Sequence, residues 1–202
     1  MYAVDTRPLP ATPRRSALPT GVRRFLWAVG TVAVVVAMAA AWFAVEILRQ
    51  YPAHIREPQT VLGMPKSDAV TQAFVRQFPP DFFGPAGSSS FFMSGYQGDD
   101  RFLLVFASVG FVLRPDRDLH AELEAWSGQF DDLGDIVEVD AGELGGTALC
   151  RNVRSKAVPD RPGVACGWMD HGSLGVVLFG NASGRDEAAR QLLDVRAAVE
   201  SR

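Results

Sequence analysis

The chain has 202 residues and a net charge of −3, and that charge is unevenly placed. Residues 1–24 hold five arginines against Asp5, a balance of +4, whereas Gln50 onward holds 14 basic and 21 acidic residues, a balance of −7. An acidic domain of about 150 residues is large enough to bury its own core, and it lacks the basic face that nucleic-acid phosphates require, which argues against such partners.

Residues 1–24 contain Pro8, Pro10, Pro13 and Pro19 among arginines and small residues. Proline breaks helix and sheet alike, and little apolar side chain is present to build a core. The reading is a disordered basic tail. Next comes Phe25 to Val45, twenty-one residues without a charge, with Arg23 and Arg24 immediately before them. As a helix the run reaches about 31 Å, close to the ~30 Å hydrocarbon core of a bilayer. Trp27 and Trp42 stand near its ends, where aromatic side chains anchor a span at the two interfaces. The expected transmembrane helix covers 25–48. Arg14, Arg15, Arg23 and Arg24 give it a direction, because cytoplasmic flanks carry the excess of Lys and Arg. The expected topology is therefore single-pass in the plasma membrane, with the N-terminus cytoplasmic and the C-terminal domain extracytoplasmic.

A cleaved signal sequence is the rival reading, with Arg23-Arg24 as a twin-arginine signal and Ala39-Ala40-Ala41 as a cleavage site. The apolar run is longer than the ~7–15 residues of a signal core, which favours retention. Residues 49–60, with Pro52 and Pro58, read as an extended juxtamembrane linker, and the folded domain is expected over 61–202.

Within the domain, Ser67 can cap a helix over Asp68 to Phe78, with Val70, Phe74 and Phe78 on one face and Pro79-Pro80 ending it. After a Gly/Ser loop at Gly84 to Ser88, Ser90 to Tyr96 and the apolar run Phe102 to Val109 read as strands, joined by a turn at Gln97 to Asp100. Pro115 opens a second helix, where Leu119, Leu123, Trp126 and Phe130 recur at helical spacing. Strands follow at Ile136–Asp140, Thr147–Val153, Val164–Met169 and Leu174–Phe179, with a hairpin loop over Lys156 to Gly163. Ser183-x-x-Asp186 resembles a capping box before a terminal helix whose buried face is Ala188, Leu192, Val195 and Val199. Short hairpin links predict an antiparallel sheet, and one-sided helices need a surface to cover. The expected fold class is α+β, with amphipathic helices mainly on one face of the sheet.

Cys150 and Cys166 both lie beyond the span, and an even count in an oxidising compartment predicts one disulfide. In an antiparallel pair centred on Val158 the two stand opposite each other, and closing a loop of this length adds about 3 kcal/mol. Two thiols with His171 fall short of a structural zinc site, and no metal or cofactor is expected.

Asp170-His171 beside Ser173 invites comparison with a catalytic triad. Adjacent turn residues, however, cannot readily place an imidazole between a carboxylate and a hydroxyl, and no Gly-x-Ser-x-Gly elbow exists. His54 and His120 lack ligand partners at metal spacing. Asp99-Asp100 and Asp131-Asp132 read as solvated turn carboxylates, and the glycines at 84–88 and 142–146 lack the lysine of a P-loop. Phe82-Phe83 and Phe91-Phe92 offer either an apolar groove or core packing, with core packing the favoured reading.

Three stretches carry a family likeness: Thr60-Val61-Leu62-Gly63-Met64-Pro65, Leu144-Gly145-Gly146 ahead of Cys150, and Cys166-x-Trp168-x-Asp170-His171 before Gly175-Val176-Val177. They resemble uncharacterised actinobacterial single-pass membrane proteins and lipoproteins with an extracytoplasmic two-cysteine domain. The resemblance implies paired cysteines, a cell-surface location and a GC-rich source, which also suits the use of Arg for 18 of the 20 basic residues. It implies no activity. The expected function is a non-enzymatic binding or interaction module at the cell envelope, for an envelope protein or small ligand. One alternative is a membrane-tethered hydrolase with its site near Asp170 and His171. Another is a subunit of a membrane complex using Gly30, Ala33, Val34, Ala37 and Ala41 as a helix interface.

Overall fold

The computed structural model describes residues 20–76, 90–125, 130–155 and 162–202. Arg14, Arg15, Phe78 to Ser88, Trp126 and most of the 156–163 loop lie outside these, as does the side chain of Arg23. The chain divides into two compact units, the first ending at Ala44 and the second running from Val45 to Arg202.

Helix α1 (Thr20–Gln50) is longer at both ends than the expected 25–48. Phe25, Trp27, Trp42 and Val45 are all exposed, as is every described side chain from 24 to 45. By length and composition, its stretch Arg24–Gln50 is apolar enough to cross a membrane.

The second unit is α+β and is built on one antiparallel sheet of seven strands. Its members are β4 (Ser90–Gln97), β5 (Phe102–Val109), β6 (Phe130–Leu133), β7 (Val137–Val139), β8 (Thr147–Ser155), β9 (Pro162–Met169) and β10 (Ser173–Gly180). They are ordered β4-β5-β10-β9-β8-β6, with β7 also paired to β8. Three further helices are α2 (Asp68–Val75), α3 (Pro115–Ala125) and α4 (Arg185–Val199). The described residues also form four two-residue strands, with β1 (His54–Ile55) against β11 (Glu200–Ser201) and β2 (Thr60–Val61) against β3 (Met64–Pro65).

The helices divide between the two faces of the sheet, α2 and α3 on one and α4 on the other. Leu103, Val105, Ala107, Cys150, Cys166, Trp168 and Val177 share one cluster with Ala188, Leu192, Val195 and Val199 of α4. Leu104, Phe106, Ala165, Val176 and Leu178, which alternate with them, share the other with Leu119 and Leu123 of α3, and Phe74 of α2 packs there too. Alternate residues of a strand point to opposite faces, so both faces are covered. The unbroken apolar runs of β5 and β10 are the physical reason, since neither offers a polar side to water.

Three smaller expectations also change. Phe130 leaves the helical pattern and begins β6, which pairs with β8. The terminal helix is not opened by a Ser183 capping box: its N-cap is Gly184, without a side-chain cap bond. At φ 156° Gly184 occupies backbone space that residues with a Cβ rarely enter, which moves the start one residue on. Residues 49–60 are part of the domain's fabric and do not form a free linker. Ala53 is buried, His54 and Ile55 pair with Ser201 and Glu200, and the Arg56 N–H donates to Val199 O.

Ser67 does cap α2, accepting from the Val70 N–H. This brings α2 against β4 so closely that a Cβ on Gly95 would stand 2.5 Å from Val70 Cγ1. The Thr71 hydroxyl accepts the Gly95 N–H at 2.8 Å, which helps cover the sheet edge.

Candidate functional site

The turn Asp170–Ser173 joins β9 to β10 at the centre of the sheet, and all four residues are buried. Local chemistry sets the turn: Asp170 Oδ1 accepts the backbone N–H groups of Gly172 at 2.7 Å and Ser173 at 2.8 Å. A short side-chain carboxylate that holds the backbone two residues on is the usual way an Asp builds such a turn. The other oxygen, Oδ2, accepts the Ser173 hydroxyl at 3.2 Å and is ion-paired with both Arg196 and Arg202.

Arg196 is the centre of this network. Its Nε donates to Glu200 at 2.9 Å, and its Nη1 donates to the carbonyls of Ala141 at 2.9 Å and Gly145 at 2.7 Å. The guanidinium also lies 5.9 Å from the centroid of the Trp168 ring. Arg202 spans the same two carboxylates, reaching Glu200 at 2.7 Å. Two carboxylates therefore face two guanidiniums, and the buried charge is matched.

His171 looks the other way. Its Nδ1 lies 2.7 Å from Val112 O, and its backbone N–H donates to Gln50 Oε1 at 3.0 Å. Gln50 in turn donates to Glu46 at 2.7 Å, one turn back along α1. Gly172 is pressed against the same helix end, for a Cβ there would stand 2.3 Å from Gln50 O. One four-residue turn thus ties together the end of α1, the loop after β5, α4 and the final residue of the chain.

Such geometry does not assemble a triad. In a triad the imidazole bridges carboxylate and hydroxyl, whereas here Ser173 donates directly to Asp170. Asp170 is already committed to two arginines and two backbone N–H groups.

Beside the network lies a recess of about 540 Å³ between the Asp140–Leu144 loop and α4, lined among others by Glu143, Leu193, Asp194 and Arg196. Among the described residues no group of three or more His, Cys, Asp or Glu side chains gathers as a metal site. Cys150 and Cys166 stand opposite one another in the β8–β9 register and form a disulfide.

A second polar cluster holds residues 57–66 to β4. Glu57 pairs with Lys66 at 2.7 Å and accepts the Ser94 hydroxyl, and the Tyr96 hydroxyl donates to Pro58 O at 2.9 Å. The Lys66 and Ser94 bonds lower the Glu57 carboxyl from its usual value. Burial pushes the Tyr96 phenol up to about 12, helped by the nearby Glu57 charge.

Sequence reading picked out Asp170, His171 and Ser173, but not Gln50, Arg196, Glu200 or Arg202. A signal existed: Arg196 lies four residues after Leu192 and four before Glu200, on the stripe that α4 buries. Trp168 packs on Gly175, where a Cβ would meet the ring at 2.1 Å, and its buried Nε1 has no hydrogen-bond partner among the described residues. Comparison of the chain with protein-family models, curated proteins and solved structures finds no match.

Proposed function

We propose that the protein is a single-pass, membrane-anchored module whose extracytoplasmic domain binds an envelope protein or a small ligand and does no chemistry of its own. The observation that carries the anchor is the exposure of Phe25 to Val45: among the described residues of the first unit nothing covers this apolar surface. An exposed apolar helix about 31 Å long costs tens of cal/mol per Å² in water and calls for an apolar solvent. The disulfide favours an oxidising compartment for the domain, and the basic head favours a cytoplasmic N-terminus. The resemblance to actinobacterial single-pass proteins points the same way.

Support for binding over catalysis comes from the turn at Asp170–Ser173, whose most site-like side chains are occupied as struts. The recess beside α4 is the concave feature on which a ligand or peptide would be sought. The test is cross-linking of the full chain in its native membrane, followed by purification. A specific adduct lost on Leu193→Arg, a change at the recess wall, supports the binding reading. A substrate turned over by the purified chain, with activity abolished by His171→Ala but not by Leu193→Arg, would overturn it.

A further inference from the structure

Antiparallel register shows which residues share one end of the sheet. Ser90 of β4 and Ser173 of β10 both pair with Val109, the last residue of β5. At this same end the turn at His171 and Gly172 meets Gln50 of α1. Beyond Val45, the large apolar side chains left exposed among the described residues are Leu48, Tyr51, Val75, Phe91, Phe111 and Leu113. All except Val75 belong to segments at this end. Phe91 pairs with Ser108 one step inside the strand end, and Phe111 and Leu113 follow β5 directly.

Their presentation is built into the fold. Val112, between Phe111 and Leu113, is held by its N–H to His171 O at 3.2 Å and by its carbonyl against His171 Nδ1. Gly110 is held to Gly172 O. Phe111, 58% exposed, meets the Tyr51 ring edge-on at a centroid distance of 6.1 Å. An anchored loop that keeps a Phe and a Leu outward on either side of a half-buried tie is not a loop collapsed on its own core.

We propose that this end of the domain rests in the headgroup layer of the membrane that α1 crosses, with Leu48, Tyr51, Phe91, Phe111 and Leu113 as its lipid contacts. The inference depends on α1 being a membrane span. Given that, the level is fixed by chain length. Leu48 lies about 4–5 Å and Tyr51 about 9 Å of helix rise beyond Val45, against a headgroup layer of ~5–8 Å on each side of the hydrocarbon. A modest tilt of the span brings both into that layer. Aromatic and Leu side chains suit the boundary between acyl chains and headgroups. Exposed Arg49 and Arg114, each next to one of these residues, suit the lipid phosphates. The domain then lies on the bilayer, with no spacer lifting it away.

The test places a photoreactive phenylalanine, p-benzoylphenylalanine, in the full chain reconstituted in phosphatidylethanolamine–phosphatidylglycerol vesicles. One sample replaces Phe111, a second replaces Val35 within α1, and a third replaces exposed Asp99 at the opposite end of the sheet. The expected result is lipid adducts at 111 and 35, with the yield at 111 several-fold above that at 99. Adducts at 35 with only background at 111 would overturn the docking face and leave the span standing. An absence of adducts at 35 and 111 would overturn both, and a protein–protein adduct at 111 would assign the face to a partner and refute the lipid contact.

Discussion

Replacing Arg196 by Met should be among the most damaging single changes in the domain. The side chain is only 2% exposed, and it donates to Asp170, Glu200 and the carbonyls of Ala141 and Gly145. Met fills much of the same volume, so the loss is electrostatic and is not that of a cavity. Asp170 and Glu200, both fully buried as side chains, are left with Arg202 alone. Breaking a buried pair from one side costs about 3–5 kcal/mol, out of the ~5–15 kcal/mol typical of a whole domain. At about 2–4 °C per kcal/mol for a domain of this size, Tm should fall by roughly 6–20 °C. The assay is thermal unfolding of the full chain in detergent, followed by far-UV circular dichroism. Adding Asp170→Asn to Arg196→Met should recover part of the loss, because a buried charge without its main partner is removed along with it. A drop below about 2 °C for Arg196→Met would refute the reasoning, since the network would then be solvated and not structural.

The other predictions concern the turn, the disulfide and the residue 57–66 clasp. Gly172→Ala should destabilise the domain and loosen the end of α1, because its Cβ would stand 2.3 Å from Gln50 O; hydrogen exchange at Gln50 and Tyr51 should accelerate. Cys150→Ala with Cys166→Ala should cost about 3 kcal/mol in urea unfolding, and equal electrophoretic mobility with and without reductant would count against the bridge. The Tyr96 phenol is raised to about 12 from an ordinary value near 10. A raised folded value means its contribution is complete below about pH 10 and is lost as pH climbs toward 12. Stability should therefore fall over that window, and Tyr96→Phe should flatten the fall. Glu57 carries the opposite sign: its lowered value makes its contribution present above the ordinary carboxylate range and lost as pH drops through the folded value, an acid-side loss that Glu57→Gln should remove.

Local pattern carried much of this fold. Counting residues out from Val158 was enough to face Cys150 with Cys166, because a hairpin's register follows from its centre. The burial of Ala188, Leu192, Val195 and Val199 followed from 3.6-residue periodicity, and all four side chains are fully enclosed. The two-sided cover of the sheet was also written in Phe102–Val109, a run with no alternation. Phe130 was misplaced because an apolar residue at helical spacing can equally open a strand, and only pairing with β8 decides. The clasp around Asp170 was not legible in the same way. Its partners lie at positions 196 and 202, and each interaction exists only once α4 packs on the sheet and β11 pairs with β1. The place of Arg196 on the buried stripe of α4 is legible, but which distant carboxylate it meets has no local signature.

Anchoring of an outward-facing domain by α1 is tested most directly by two-sided accessibility of the full chain in intact spheroplasts. External protease should degrade the domain beyond Tyr51 while a tag at the N-terminus stays protected, and the undigested chain should remain in the pellet after alkaline carbonate. A soluble domain beginning just after Ala41, or a domain protected until the membrane is opened, would contradict it.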